Sequence, residues 1–453
     1  MRVALVLVVV ALLAALLLTR AEPFAPTATL ETPVEVIGRA TPVKVVAHDR
    51  GTGLARVELR LVPEGGAPVV LATESWPPRP GDWLFGGSGV HDATLERTVD
   101  AAGAHVAEGR ATLEVWVADH SWLAGLHRGP AVSHAVTVDV TPPTLTVVGR
   151  EHVARLGGSE CLVYRVSPDA VRSGVQVGDE FFPGTAGYFT DGALRVALFA
   201  LPQGLPGTRP AALATDAAGN ARTSGMDIAV EPRRFAEKTI PITDDFLARK
   251  VPELLQANGL DPSGDLVAGY LRINRELRIA TEKRVREICR DSAPAPLWEG
   301  AFLRLPNSAP LSGFADRRTY VYGGKPIDHQ THLGFDLASL RGSVVPAGNT
   351  GRVAFVGPLG IYGNTVILDH GLGLFSLYGH LSETSVAQGA QVARGDPIGK
   401  TGDTGLAAGD HLHFSIMIHG VHVDAVEWWD AHWIHDHVEI RLAEFPRATG
   451  GGS

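Results

Sequence analysis

The sequence predicts a mainly β chain: two β-sandwich modules, a helical connector and a C-terminal, glycine-rich β-domain. Three observations predict it. Apolar and charged residues alternate with period two in Arg56-Val57-Glu58-Leu59-Arg60-Leu61, and the alternation recurs in later segments. Glycine and proline number 52 and 30 in 453 residues, which suits short strands joined by turns. Between about 233 and 300 the apolar residues switch to helical spacing. The formal net charge of -9 leaves no basic excess to neutralise phosphates, so no nucleic-acid partner is expected.

Residues 1–22 read as an export segment. Arg2 precedes an unbroken apolar run from Val3 to Leu18. The run is slightly short of the roughly 20 residues that span a bilayer. Thr19-Arg20-Ala21 is only an approximate cleavage site, and no cysteine follows for lipid attachment. An uncleaved membrane anchor is slightly favoured over a cleaved signal. Either way the rest of the chain lies outside the cytoplasm, in a periplasmic or cell-envelope setting.

Residues 23–141 form the first β-module. Val57, Leu59 and Leu61 share one strand face; Leu113, Val115, Val117 and Val136, Val138, Val140 repeat the pattern. Asp139-Val140-Thr141-Pro142-Pro143 is a joint, because paired prolines oppose both helix and central strand. Residues 142–232 form the second module, with Leu194, Val196 and Leu198 in alternation. The turns Asp49 to Leu54 and Ala214-Thr215-Asp216-Ala217-Ala218-Gly219-Asn220 resemble those of bacterial immunoglobulin-like modules. The resemblance implies two spacer modules, with direct wall binding as the alternative.

Residues 233–300 form the connector. Asp244 and Asp245 are candidate caps for a helix ending near Asn258-Gly259, and Ser263 or Asp265 for one running to about Arg290. In the second helix Leu266, Tyr270, Leu277, Val285 and Ile288 recur near helical spacing. The connector is expected to pack on the domain that follows; the alternative is a plug over its active site. Cys161 and Cys289 fall in different domains and read as two isolated buried thiols.

Residues 301–445 hold most of the histidines, before a disordered tail at 446–453. Three pieces stand out: His332-Leu333-Gly334-Phe335-Asp336, His380 in Leu377-Tyr378-Gly379-His380-Leu381, and His411-Leu412-His413. Each is weak alone. Together they suit catalytic zinc, which takes three protein ligands and keeps one position open. His332, Asp336 and His413 would supply two nitrogens and one oxygen. In a strand His411 and His413 face one side while Leu412 and Phe414 face the core. His380 and His411 would then serve proton transfer, as imidazole titrates near neutrality.

From about Ser312 to Asp424 the sequence resembles the catalytic domain of the M23 metallopeptidase family, of the lysostaphin and LytM type. The matching pieces are those three, together with Tyr362-Gly363-Asn364-Thr365-Val366-Ile367-Leu368-Asp369-His370-Gly371, Gly395-Asp396-Pro397-Ile398-Gly399 and Thr401-Gly402-Asp403-Thr404-Gly405. The resemblance implies His332, Asp336 and His413 as zinc ligands and His380 and His411 as the catalytic pair. It also implies a two-sheet antiparallel β-core and peptidoglycan as substrate, cut in its cross-links or stem peptides. Some members of the family have lost ligands and only activate an amidase partner; all five positions are filled here. A wall-binding tether is a third reading. The chain departs from the pattern at Pro326, where some members place a tyrosine; Tyr322 is a weak substitute.

Other residues take plainer roles. His370 is expected in a structural hydrogen bond, His329 at the surface, with the groove edge as the alternative, and His419 and His422 beside a turn at Gly420. His432, His435 and His437 are surface histidines, with a second metal as the alternative. Trp428, Trp429 and Trp433 are expected to pack the C-terminus, with glycan stacking by Trp428 or Trp429 as the alternative.

Overall fold

The computed structural model describes residues 7–448, apart from 12, 15–19, 23, 33, 79–88, 125–128 and 150. The mainly β class, the helical connector and the C-terminal antiparallel sheet are as expected. Most of the N-terminal apolar run and the last five residues of the expected tail lie outside the described residues. Residues 7–11, 13 and 14 are helical and exposed. No helix among the described residues is long and apolar enough to cross a membrane.

The chain divides into two compact units. One runs to Pro143 and adds the loops 169–171 and 215–222; the other holds the remainder.

In the first unit a five-stranded sheet has the order Val36–Ile37, Val132–Val138, Gly109–Asp119, Leu54–Pro63 and Val69–Ser75. A three-stranded sheet joins Thr27–Leu30, Thr41–His48 and Asp92–Val99. The period-two pattern sends Val57, Leu59, Leu61, Leu113 and Val115 inward, against Val43, Val45, Ala47 and Leu95 of the smaller sheet. One shared core makes this a β-sandwich.

The second module opens the second unit. Its strand Ser159–Val166 lies between Leu194–Ala200 and Leu145–Val148, antiparallel to both. Leu194, Val196 and Leu198 are buried, and so are Ala197 and Phe199. The second face is covered because this strand also lies against Leu412–Ile418 of the C-terminal domain. Cys161 and Cys289 are free, buried thiols, both pushed up by burial.

The connector begins as a strand, which its composition did not suggest. Glu237–Pro241 pairs parallel with Arg317–Val321, and Lys325–Thr331 completes that sheet. Thr243, rather than Asp244 or Asp245, caps the helix Asp244–Ala257; its side chain accepts from Phe246 N–H. The two aspartates lie in the first turn, where they favour the helix dipole. Gly259, at φ 67°, reverses the chain. Asp265 caps the second helix, accepting from Ala268 N–H. That helix runs from Leu266 to Ile288 with a π-helical turn at Ile273–Leu277. Leu247, Val251, Leu254, Tyr270, Ile273 and Val285 pack on Ile367, Phe375, Leu377 and Met417 of the main C-terminal sheet. Burying such side chains stabilises by roughly 1.5–3 kcal/mol each.

The main sheet has the order Ala309–Ser312, Phe335–Ala338, Leu412–Ile418, Leu374–Leu381, Asn364–Gly371, Gly351–Pro358 and Gln391–Val392; Val421–Val423 also pairs with Leu412–Ile418. A small sheet joins Val344–Pro346, Pro397–Lys400 and Glu383–Thr384. The tail expected from 446 is fixed as far as 448. Thr190 N–H donates to Pro446 O, and Ala448 N–H donates to Tyr188 O at 3.0 Å.

Candidate metal centre and catalytic cavity

Strand register brings distant residues together. Asp336 lies opposite His413 in the pairing of Phe335–Leu337 with Leu412–Phe414. On its other side His413 lies opposite Gly379. His380 follows Gly379 at φ 62°, a left-handed conformation that costs a non-glycine residue about 1 kcal/mol or more. His332 comes from the turn before Phe335, and its backbone is pinned by Asp316 O and Ala315 N–H.

Three ligand-type atoms converge. His332 Nε2 lies 2.9 Å from Asp336 Oδ1 and 3.1 Å from His413 Nδ1, and His413 Nδ1 lies 3.1 Å from Asp336 Oδ1. His332 Nδ1–H donates to Gly313 O at 2.9 Å, so its Nε2 presents a lone pair to the cluster. With the His413 proton on Nε2 all three atoms are acceptors, and they repel one another unless a cation lies between them. Atoms bound tetrahedrally to zinc at about 2.0 Å sit about 3.3 Å apart. The separations here suit one small ion, and these three residues form a group able to hold a metal. Asp336 Oδ2 is taken by Arg318, whose Nη2–H donates at 2.7 Å. One carboxylate oxygen is thereby left for the ion.

The local sequence makes room for this. A Cβ on Gly334 would meet His413 Nε2 at 2.6 Å and Phe414 O at 2.7 Å. His413 Nε2 itself is buried without a hydrogen-bond partner. The Tyr362 ring lies against the His413 ring, with centroids 5.0 Å apart. Tyr362 donates its hydroxyl to Glu282 of the connector at 2.7 Å. Glu282 Oε2 is also 3.0 Å from His422 Nε2, and His422 Nδ1 is 2.6 Å from Ser415 Oγ.

His380 and His411 stand beside the cluster, with ring centroids 4.8 Å apart. His380 Nδ1–H donates to Thr404 O at 2.8 Å, and His411 Nδ1–H donates to Gly409 O at 2.8 Å. Both rings are thus oriented through Nδ1. His411 Nε2 is 3.4 Å from Asp336 Oδ1. Burial, together with neighbouring His411 and His413, pushes His380 well below its ordinary value. Burial also lowers His411, but Asp336 outweighs it and raises the group. Burial lowers His413 to about 4. Burial would raise Asp336; the histidines around it hold its carboxyl well below the usual carboxylate range.

All five residues line one cavity of about 690 Å³. The connector forms part of its wall through Phe246, Tyr270 and Arg278. Arg318, Tyr320 and Tyr362 also line it, and sequence reasoning gave none of them a role. Arg318 shows no local signal; it and its partner Asp336 lie in different sheets and meet only through their side chains.

The minor assignments divide. His370 is buried between Thr350 O and Ser376 Oγ, each at 2.7 Å. His419 and Gly420 form the expected turn, both at positive φ. His329 is exposed, faces Thr319 and lines a different surface pocket, not the cavity. Tyr322 turns away to donate to Asp244 at 2.7 Å. Among the described residues His432, His435 and His437 form no metal group; His437 faces Glu160 and His435 faces Glu439. Trp428 is fully buried and Trp429 stacks on Phe414, so both pack the domain.

Residues 330–425 match the family model described as Peptidase family M23. The DD-carboxypeptidase/endopeptidase Mpg of Neisseria meningitidis serogroup B is 42% identical over 109 residues, which cover 24% of this chain and 25% of that relative. The peptidoglycan DD-endopeptidase ShyA of Vibrio cholerae is 35% identical over 96 residues, covering 21% of this chain and 22% of the relative. The chain therefore spans about a quarter of the length of the curated relatives it matches. The catalytic domain of the antimicrobial peptidase lysostaphin from Staphylococcus simulans matches with 27% identity and a TM-score of 0.26, over 29% of this chain and 98% of that one. His332, Asp336, His380, His411 and His413 all lie within the stretch, residues 330–425, that carries the Peptidase family M23 pattern.

Proposed function

We propose that this chain is a zinc-dependent endopeptidase that hydrolyses peptide bonds of peptidoglycan. The observation that carries the reading is the convergence of His332 Nε2, Asp336 Oδ1 and His413 Nδ1 within 3.1 Å of one another, in a cavity shared with His380 and His411. Two neutral imidazoles and one carboxylate are a ligand set for catalytic zinc. Bound there, zinc supplies a Lewis acid for the scissile carbonyl and makes water acidic enough to act as nucleophile near neutral pH.

The chain's own residues do the rest. His332 and His413 present lone pairs to the ion, and Arg318 keeps Asp336 oriented through its second oxygen. His380, with Nδ1–H fixed on Thr404 O, offers Nε2 to take a proton from the attacking water. His411, with Nδ1–H fixed on Gly409 O, offers Nε2 to hydrogen-bond the oxyanion and to pass a proton towards the leaving amine. The cavity wall excludes bulk water and aligns the peptide.

The names of the matched relatives favour the D,D-configured cross-link as the bond cut. Arg2 and the apolar run after it support a location in the cell envelope, anchored or released outside the cytoplasm. The two β-modules act as immunoglobulin-like spacers. The test is direct. Purified sacculi incubated with the full chain and zinc should release peptide-cleaved muropeptides without any partner protein, and a chelator should stop release. Intact sacculi under those conditions would exclude the hydrolytic reading and leave that of an amidase activator.

A further inference from the structure

The connector helix brings a cation into the catalytic cavity. Arg278 lines the cavity together with the five residues of the metal centre and the catalytic pair. It follows directly on the π-helical turn Ile273–Leu277. A π turn widens the helix locally, and such turns recur at functional sites. Here it frees the Asn274 carbonyl for side chains. Arg278 Nε–H donates to Asn274 O at 3.3 Å, and Arg278 Nη2–H donates to Asn274 Oδ1 at 2.7 Å. Asn274 is fully buried and is itself fixed by Asp328, to which its amide donates at 2.8 Å. The guanidinium is held in place by neutral acceptors, and its remaining N–H groups are unspent.

Among the described residues no carboxylate lies within ion-pair distance of Arg278. Most other charged groups of the cavity have partners. Arg318 is paired with Asp336, Arg249 donates to Ala408 O, and Asp410 accepts from Gly342 N–H through one oxygen while its other oxygen is buried without a partner. Glu282, one turn beyond Arg278, accepts from Tyr362 and His422. Asp245, in the first turn of the preceding helix, also lines the cavity. Tyr270 lines the same cavity, and its hydroxyl is buried without a hydrogen-bond partner. Glu282 feels the Arg278 charge, yet its oxygens are taken by Tyr362 and His422, so the guanidinium keeps N–H groups for a ligand, as does the buried Tyr270 hydroxyl.

We propose that Arg278, oriented by Asn274, is a carboxylate-binding residue of the catalytic cavity, so that the connector selects peptides bearing a free carboxylate near the scissile bond. The inference rests on the reading of the cavity as a peptidase site and adds its selectivity. A guanidinium fits a carboxylate bidentately, which a carboxamide cannot reproduce. The carboxylate has two sources in a stem peptide: a chain terminus, or the side chain of a dicarboxylic residue.

The test uses the zinc-loaded full chain and cross-linked bis-peptides that differ only in their carboxyl groups: all free, the terminus amidated, or the side chain amidated. Binding is read by calorimetry, and kcat and KM by product release. The wild type should bind the free acid at least about 10-fold more tightly than one of the two amides, which identifies the source. Arg278→Gln should remove that preference through KM, with kcat little changed and the amide bound as before; Arg278→Lys should restore part of it. Equal binding of all three peptides by the wild type, or an equal loss for acid and amide in Arg278→Gln, overturns the proposal. Preferential binding of the acid with no hydrolysis of any peptide upholds the Arg278 assignment and overturns the peptidase reading instead.

Discussion

At the scale of residues, the site is governed by what occupies the few ångströms around His413. Its Nδ1 faces Asp336 and His332, while its ring edge fills the space that Gly334 leaves. Gly334→Ala would place a methyl group 2.6 Å from His413 Nε2, and the neighbouring Phe414 backbone cannot yield. We expect this variant to lose zinc affinity by 10-fold or more and to lose about 1–3 kcal/mol of stability, as overpacked cores do. Competitive chelation and chemical denaturation check both. Arg318→Met should leave Asp336 free to rotate and weaken zinc binding by about 10–100-fold, the usual effect of removing an outer-shell partner. Unchanged zinc affinity in that variant would show Arg318 to be dispensable. The five residues that meet in the cavity stood out in the sequence because each sits in a short run of recognisable neighbours. Arg318, Tyr362 and Glu282 did not, because their roles arise from pairings across tens of residues that no local pattern encodes.

At the scale of elements, the connector is part of the C-terminal fold. Its first strand pairs with Arg317–Val321, and its helices cover Ile367, Phe375 and Met417 of the main sheet. The connector packs on the sheet and also forms part of the cavity wall. Helical periodicity foretold the two helices and their apolar faces. It could not foretell the strand Glu237–Pro241, whose pairing partner lies eighty residues on, nor the π turn, which shifts helix register. The cap at Thr243 gives a local test. Thr243→Ala removes the acceptor of the Phe246 N–H and should cost about 1 kcal/mol, read as a lower denaturation midpoint with an unchanged slope. Thr243→Ser should keep most of that stability.

At the scale of the whole molecule, the second unit is held together by a polar seam between its β-module and the C-terminal helices. Glu160, fully buried, faces His437 at 2.9 Å and Arg441 at 3.3 Å. Nearby, Ser159 N–H and Oγ–H donate to Glu427, and Trp428 Nε1–H donates to Ser159 Oγ. Burial, with Asp424 and Glu160 close by, pushes the Glu427 carboxyl up to about 8. An acid raised in the folded state is stabilising while it stays protonated. Its contribution is complete below the unfolded value near 4.5 and is lost as pH rises to about 8. The melting temperature of the full chain should therefore fall between pH 5 and pH 8. Glu427→Gln, which keeps an acceptor for Ser159, should flatten that slope; an unchanged slope would assign the pH dependence elsewhere. This seam was hidden in the sequence, since its partners are separated by more than 260 residues. The alternation of Leu194, Val196 and Leu198 revealed one buried face of their strand and gave no sign that the other was buried too.

The most direct test of the account is mass spectrometry of muropeptides released from purified sacculi by the zinc-loaded full chain and by His413→Ala, with bound zinc measured in both. The account predicts about one zinc per chain and peptide-bond cleavage products for the wild type, and neither for the variant. Full hydrolysis by His413→Ala, or one firmly bound zinc in a wild type that cuts nothing, would contradict it.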